Sequence, residues 1–136
     1  MLYDQFSLPA LLMNQKLVNF IKSQATDPNS YPRSLWFEES RLKVYLRAGK
    51  TYSYNQDGNL LLALTVSNVE VEEKFRRQGV FTNFVMGIIQ LGVSNGYTEL
   101  QMENVITLEM VAYCQKHEMQ VKKSPYNSVD SYYMSI

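Results

Sequence analysis

From Gly79 to Asn95 the chain carries no charged side chain. Phe81, Phe84, Val85 and Ile88 recur there at helical spacing, and Val80, Met86, Ile89 and Leu91 widen the apolar stripe. A helix lying on the surface keeps a charged face toward water. A helix from about Gly79 to Ser94 that has none must be largely buried against another layer. Asn95-Gly96 stops it, since both residue types tolerate the left-handed backbone that ends helices. This helix therefore demands a sheet to receive it.

The preceding segment supplies the first strand. Leu60, Leu62, Leu64 and Val66 occupy even positions, whereas Val69 and Val71 occupy odd ones. Strand side chains alternate with period two, so one apolar face from Leu60 to Val71 requires an inserted residue. That predicts a β-bulge near Ser67-Asn68. Upstream, Asn55-Gln56-Asp57-Gly58-Asn59 holds an Asp-Gly hairpin signal between two strand-like runs. The run from Leu35 to Arg47 reads as strand, Ala48-Gly49-Lys50 as a turn, and Thr51 to Tyr54 as a further strand. At the N-terminal end Ser7 is placed to cap a helix with Pro9 in its first turn. Met13, Leu17, Phe20 and Ile21 give that helix an apolar face until about Gln24. Thr26 to Pro32 is a loop dense in turn formers. Downstream, Thr98 to Met102 reads as strand and Ile106 to Lys116 as a shorter helix. Met119 to Lys123 and Ser131 to Ile136 form a final hairpin. The order implies an α/β (α+β) domain spanning 1–136, with a mixed, largely antiparallel central sheet flanked by helices.

Composition narrows the function classes. Thirteen basic residues balance thirteen acidic ones, and the basic clusters are only Arg76-Arg77 and Lys122-Lys123. Phosphate neutralisation supplies most of the affinity of a nucleic-acid binder, so a polynucleotide partner is not expected. A single cysteine, Cys114, and a single histidine, His117, build neither a disulfide framework nor a structural zinc site. No apolar run approaches the ~20 residues that span a bilayer. Met1-Leu2-Tyr3-Asp4 lacks the basic start of a secretory signal. The expectation is a protein of the cytoplasm without a membrane partner.

The junction Val71-Glu72-Glu73-Lys74-Phe75-Arg76-Arg77-Gln78-Gly79-Val80-Phe81-Thr82 has the makings of an anion site. A glycine lets the backbone approach a bulky ligand, and a helix that starts there points unpaired N–H groups and its positive dipole end outward. Arg76, Arg77, Gln78 and Thr82 add side-chain donors suited to a pyrophosphate.

This junction resembles the cofactor motif of the GNAT superfamily of N-acetyltransferases, in which a strand-ending valine precedes Arg/Gln-x-x-Gly-x-Gly/Ala. Val71, Phe75, Arg76, Gly79, Phe84 and Val85 fall on the family's spacing, and the likeness covers about residues 60 to 121. Phe81 departs from it, standing where glycine or alanine is usual. The resemblance implies acetyl-CoA as the cofactor and direct transfer to an amine of a small molecule or protein in a ternary complex. It implies that the backbone at Val69 and Val71 holds the pantetheine and polarises the thioester carbonyl, and that the backbone from Gln78 to Thr82 holds the pyrophosphate. It also implies that Asn104 binds pantetheine or water, with turn formation as the competing role, and that a tyrosine on the last helix protonates the departing thiolate. Tyr113 is the candidate. If Glu118-Met119 replaces the family's Gly-Phe, however, the tyrosine register falls on Cys114.

Leu60 to Val69 contains no carboxylate to serve as a base, and Glu70, Glu72 and Glu103 are the nearby acids. Tyr31, Trp36, Phe37 and Tyr45 are aromatic residues able either to line an acceptor pocket or to pack the sheet. The chain reads as an N-acetyltransferase, with a homodimer allowed. A catalytically silent acyl-CoA-binding regulator or inhibitor, and a plain interaction domain, are the alternatives.

Overall fold

Residues 14–27, 32–55, 57–122 and 129–136 are described by the structure, a computed structural model. Helix α1, Gln15–Thr26, begins at Asn14, whose side chain accepts from the Leu17 N–H at 3.0 Å. It buries Leu17 and Ile21, two positions of the expected apolar face. Ser7, Pro9, Met13 and residues 28–31 of the following loop lie outside the described residues.

Strands β1 (Arg33–Glu38), β2 (Leu42–Tyr52) and β3 (Leu60–Val71) form an antiparallel meander. The β1–β2 turn falls at residues 39–41, where the Glu39 N–H donates to the Leu42 carbonyl and the Glu39 carboxylate accepts from the Arg41 N–H at 2.7 Å. This corrects the turn expected at Ala48-Gly49-Lys50, which lies inside β2. Gly49 has φ 143°, and a Cβ there would meet the Pro32 Cα at 3.1 Å. Close backbone approach, not chain reversal, accounts for that glycine. The Asp57-Gly58 connection does reverse the chain, pairing Tyr52 with Leu60.

In the β2–β3 register Tyr45 faces Asn68 while Leu46 faces Val66, leaving Ser67 as the extra residue of a bulge. Leu64 and Val66 before the bulge and Val69 and Val71 after it therefore share one buried face. Helix α2, Val80–Val93, covers that face and buries Phe81, Phe84, Val85 and Ile88. Met86 does not extend the stripe as expected. It is 49 % exposed, because its position on the helix points away from the sheet.

Strand β4, Glu99–Met102, runs parallel to β3. Helix α3, Leu108–Lys116, starts two residues later than expected because Thr107 caps it, accepting from the Met110 N–H. Strand β5, Gln120–Lys122, pairs with β6, Ser131–Ser135; Lys123 lies outside the described residues. The sheet is ordered β1-β2-β3-β4-β6-β5, with β3–β4 its parallel pair. Residues from α1, α2 and α3 join one apolar cluster with the buried residues of the sheet. The face opposite α2 carries Thr65, Ser67, Glu99 and Gln101, which alternate with the core residues of β3 and β4. No helix among the described residues is long and apolar enough to cross a membrane.

Candidate active site

Two features of the backbone meet after the bulge. Pairing between β3 and β4 extends from Ala63–Glu99 to Val66–Met102, and the Glu103 N–H makes a last bond to the Val66 carbonyl at 2.9 Å. Beyond that point β3 continues to Val71 with β2 on one side and no strand on the other among the described residues. Val69 and Val71 lie in this stretch. Their side chains are buried in the core; on the strand's second edge Arg76 Nε occupies the Val71 carbonyl at 3.1 Å, and the other main-chain groups there have no partner strand among the described residues.

The second feature is the start of α2. After a short 3-10 turn at Glu73–Phe75 the backbone takes positive φ at Arg77 (64°) and again at Gly79 (73°), the N-cap of α2. The first intrahelical bond joins the Asn83 N–H to the Gly79 carbonyl at 2.9 Å. The N–H groups of Val80, Phe81 and Thr82 precede it, and no side chain caps the helix. Val80 and Phe81 bury their side chains, so their contribution to a ligand is main-chain only. Gln78 uses its amide on the Lys74 carbonyl at 3.1 Å. Arg76 donates from Nε to the Val71 carbonyl at 3.1 Å, and that nitrogen lies 3.7 Å from the Glu109 carboxylate. These side chains brace the turn, and no side chain caps its first helical amides. The observation fits a pyrophosphate: an uncapped positive helix end behind a left-handed glycine.

Tyr113 reaches this region from α3. Its ring meets Phe81 edge-on at 5.9 Å and stacks on His117 at 4.1 Å. Burial pushes the phenol up to about 12, with Cys114 adding to the effect. Burial likewise pushes the Cys114 thiol to about 12, so it is no thiolate nucleophile. Cys114 instead lines a cleft of about 260 Å³ with Val105, Val111 and Tyr132, and none of its walls comes from β3 or α2. Asn104 turns the chain at φ 52° and gives its N–H to the Ser131 hydroxyl at 3.0 Å.

The acids separate by location. Glu70 is exposed, and Glu72 is exposed beside Lys74 at 3.6 Å. Glu103 stands where β3 and β4 part; its Oε2 pairs with Arg47 and accepts from the Ser67 hydroxyl at 3.1 Å. The aromatic group divides too. Phe37 packs on Phe84 in the core at 4.8 Å, while Trp36 meets Tyr45 with tilted rings at 4.8 Å. Tyr31 lies outside the described residues. Arg47, Tyr54 and Gln101 belong to the same polar face as Glu103 but do not stand out in the sequence. The alternation of Glu99, Gln101 and Glu103 with Leu100 and Met102 is the signal that points to them. No group of residues able to hold a metal ion occurs among the described residues.

No family model and no curated protein matches the sequence. Solved structures match the fold. A protein from Agrobacterium tumefaciens assigned to the acetyltransferases aligns with TM-score 0.53 at 11 % identity, over 100 % of this chain and 98 % of its own. An acetyltransferase from Bacillus cereus ATCC 14579 aligns with TM-score 0.51 at 12 % identity, over 100 % and 97 %. A mutant of the toxin AtaT, bound to the C-terminus of the antitoxin AtaR and acetyl-CoA, aligns with TM-score 0.52 at 7 % identity. That match covers 70 % of this chain, which spans 58 % of the toxin's length. The chain has the fold of the GNAT acetyltransferases, and the likeness is one of fold.

Proposed function

We propose that the protein is an acetyl-CoA-dependent N-acetyltransferase that transfers an acetyl group directly to a primary amine in a ternary complex. The observation that carries this reading is the pairing of two openings: the free edge of β3 beyond the Ser67 bulge, and the uncapped first turn of α2. Acetyl-CoA, when bound, supplies an acyl group activated as a thioester. The amides from Gln78 to Thr82 hold its pyrophosphate, with Arg76 and Arg77 flanking it. Main-chain N–H groups at Val69 and Val71 would hold the pantetheine and donate to the thioester carbonyl, supplying the stabilisation of an oxyanion hole. Asn104 closes the end of β4 beside this channel. Tyr113 Oη holds the proton that the departing thiolate requires.

The test is a calorimetric titration with acetyl-CoA, followed by thiol release across a panel of amines. Binding together with amine-dependent thiol release is expected. No binding at millimolar ligand would overturn the reading. A second reading, a catalytically silent acyl-CoA binder, is favoured by one observation: a phenol raised to about 12 parts with its proton reluctantly. Tight binding with no thiol release on any amine would select it.

A further inference from the structure

The sheet face turned away from the apolar core carries a polar cluster that the acyl-donor channel does not use. Arg47 pairs with Thr65 in the β2–β3 register, so it shares a face with Thr65, Ser67, Gln101 and Glu103. Tyr54 joins them. Its ring meets Tyr133 edge-on at 6.5 Å and carries the Lys122 ammonium 4.0 Å above it. Glu103, Arg47 and Glu99 all lie close enough to act on its phenol, which burial pushes up to about 12.

The two carboxylates of the cluster differ. Glu99 is buried and closed: the Ser53 hydroxyl (2.7 Å), the Tyr54 N–H (3.0 Å) and the Gln101 amide (2.7 Å) all donate to it. Glu103 is open. Arg47 and Ser67 both bind its Oε2, while Oε1 has no hydrogen bond among the described residues. Arg47 likewise engages through Nη2, and its side chain makes no other hydrogen bond among the described residues, which leaves the other edge of its guanidinium to a ligand. Their side chains are 35 % and 30 % exposed, so solvent reaches the pair. It also stands at the place where β3 and β4 part, one residue past the last β4 strand position.

An open acid and an open arginine side by side, with Lys122 over the neighbouring Tyr54 ring, select for charge on both ends of a small molecule. We propose that this cluster is the acceptor site and takes a zwitterionic amine of the α-amino-acid class, its ammonium on Glu103 Oε1 and its carboxylate on Arg47. The assignment rests on the N-acetyltransferase reading above. A polyamine would bring further cations against Arg47 and Lys122 with only one open carboxylate to receive them, which disfavours it. An amine without an acid leaves the arginine unmatched. Loss of one charge-assisted contact corresponds to about tenfold or more in discrimination.

The experiment compares α-amino acids, their carboxamides and a linear polyamine. It measures kcat/KM by thiol release, and acceptor binding by an NMR titration of the protein saturated with coenzyme A. Amino acids are expected to exceed their carboxamides by about tenfold or more in both readouts. Arg47→Met should bring that ratio close to one, whereas Arg47→Lys, which keeps a cation, should retain part of it. Glu103→Gln should raise the amino-acid KM by about tenfold. These two variants keep the test decisive should Arg47→Met fail to fold. Equal use of acids and carboxamides, or preference for the polyamine, by a protein that binds acetyl-CoA overturns the acceptor assignment alone. Failure to bind acetyl-CoA overturns both readings.

Discussion

Gly79 has no atom closer to its would-be Cβ than Asn83 Nδ2 at 3.6 Å, so the constraint on this position is backbone conformation, not space. At φ 73° a non-glycine residue costs about 1 kcal/mol, and asparagine less than most. Gly79→Glu adds to that strain a carboxylate directed at the proposed pyrophosphate site, and like charges in contact cost several kcal/mol. Acetyl-CoA affinity should fall roughly a hundredfold or more with the circular-dichroism spectrum unchanged, while Gly79→Asn keeps most of the binding. An unchanged Kd in the glutamate variant would disprove the placement. Tyr113 permits an equally local test. Tyr113→Phe preserves the ring contacts with Phe81 and His117 and removes only the oxygen. The expected result is a fall in kcat of about a hundredfold with no change in acetyl-CoA affinity. Because burial puts this phenol at about 12, the wild-type rate should climb with pH as the amine deprotonates. Loss of the Tyr113 proton should cause no decline below about pH 11. A descending limb near neutrality that disappears in Tyr113→Phe would contradict this role.

At the scale of elements, β3 and α2 are fitted at Gly92. A Cβ there would meet Leu64 Cδ1 at 2.7 Å and Tyr97 Cβ at 3.3 Å, and both residues are fully buried. Gly92→Ala gains helix propensity of about 0.5–1 kcal/mol, but overpacking costs about 1–3. Net destabilisation of about 1 kcal/mol is expected in urea melts; a stabilised variant would show that the helix can lift freely from the sheet. These same elements were the legible ones. The charge-free run from Gly79 to Asn95 and the phase shift across Ser67 both result from burial, which leaves a periodic record in residue type. The Ala48-Gly49-Lys50 turn misled because a glycine required for contact with Pro32 looks the same in sequence as one required for a turn. Met86 misled because methionine tolerates exposure and so marks a helix face poorly. The proposed donor end lies on one contiguous segment, Arg76 to Phe81, so its residues stand together in the sequence. Those of the polar face do not. Arg47, Tyr54, Gln101, Glu103 and Lys122 come from four parts of the chain and meet only through the sheet register.

Taken as a whole, the molecule holds some ionisable groups open to water and others where burial favours the neutral form. Tyr54, Tyr97, Tyr113 and Cys114 belong to the second set, and burial raises each above its ordinary value, to about 12 for Tyr54, Tyr113 and Cys114. They sit on different elements: the β2–β3 connection, the end of the α2–β4 loop, and α3. Tyr97 also ties the loop to α1, donating its hydroxyl to the Ile21 carbonyl at 2.7 Å. An unfolded chain ionises tyrosine near 10 and cysteine near 8.5, whereas the folded chain retains these protons longer. The folded state thus binds more protons between those values and about 12, and stability must decrease as pH rises through this window. The contribution is fully present below about pH 8. The urea midpoint should therefore be level near neutrality and clearly lower at about pH 11. In the folded protein, phenolate absorbance should show Tyr54, Tyr97 and Tyr113 ionising late, in step with unfolding. Tyr97→Phe removes one such group and should lessen the alkaline decline while lowering stability at neutral pH, because the bond to Ile21 is lost. Equal midpoints at both pH values would mean that these four side chains reach water readily, and the burial assigned to them on both faces of the sheet would be wrong.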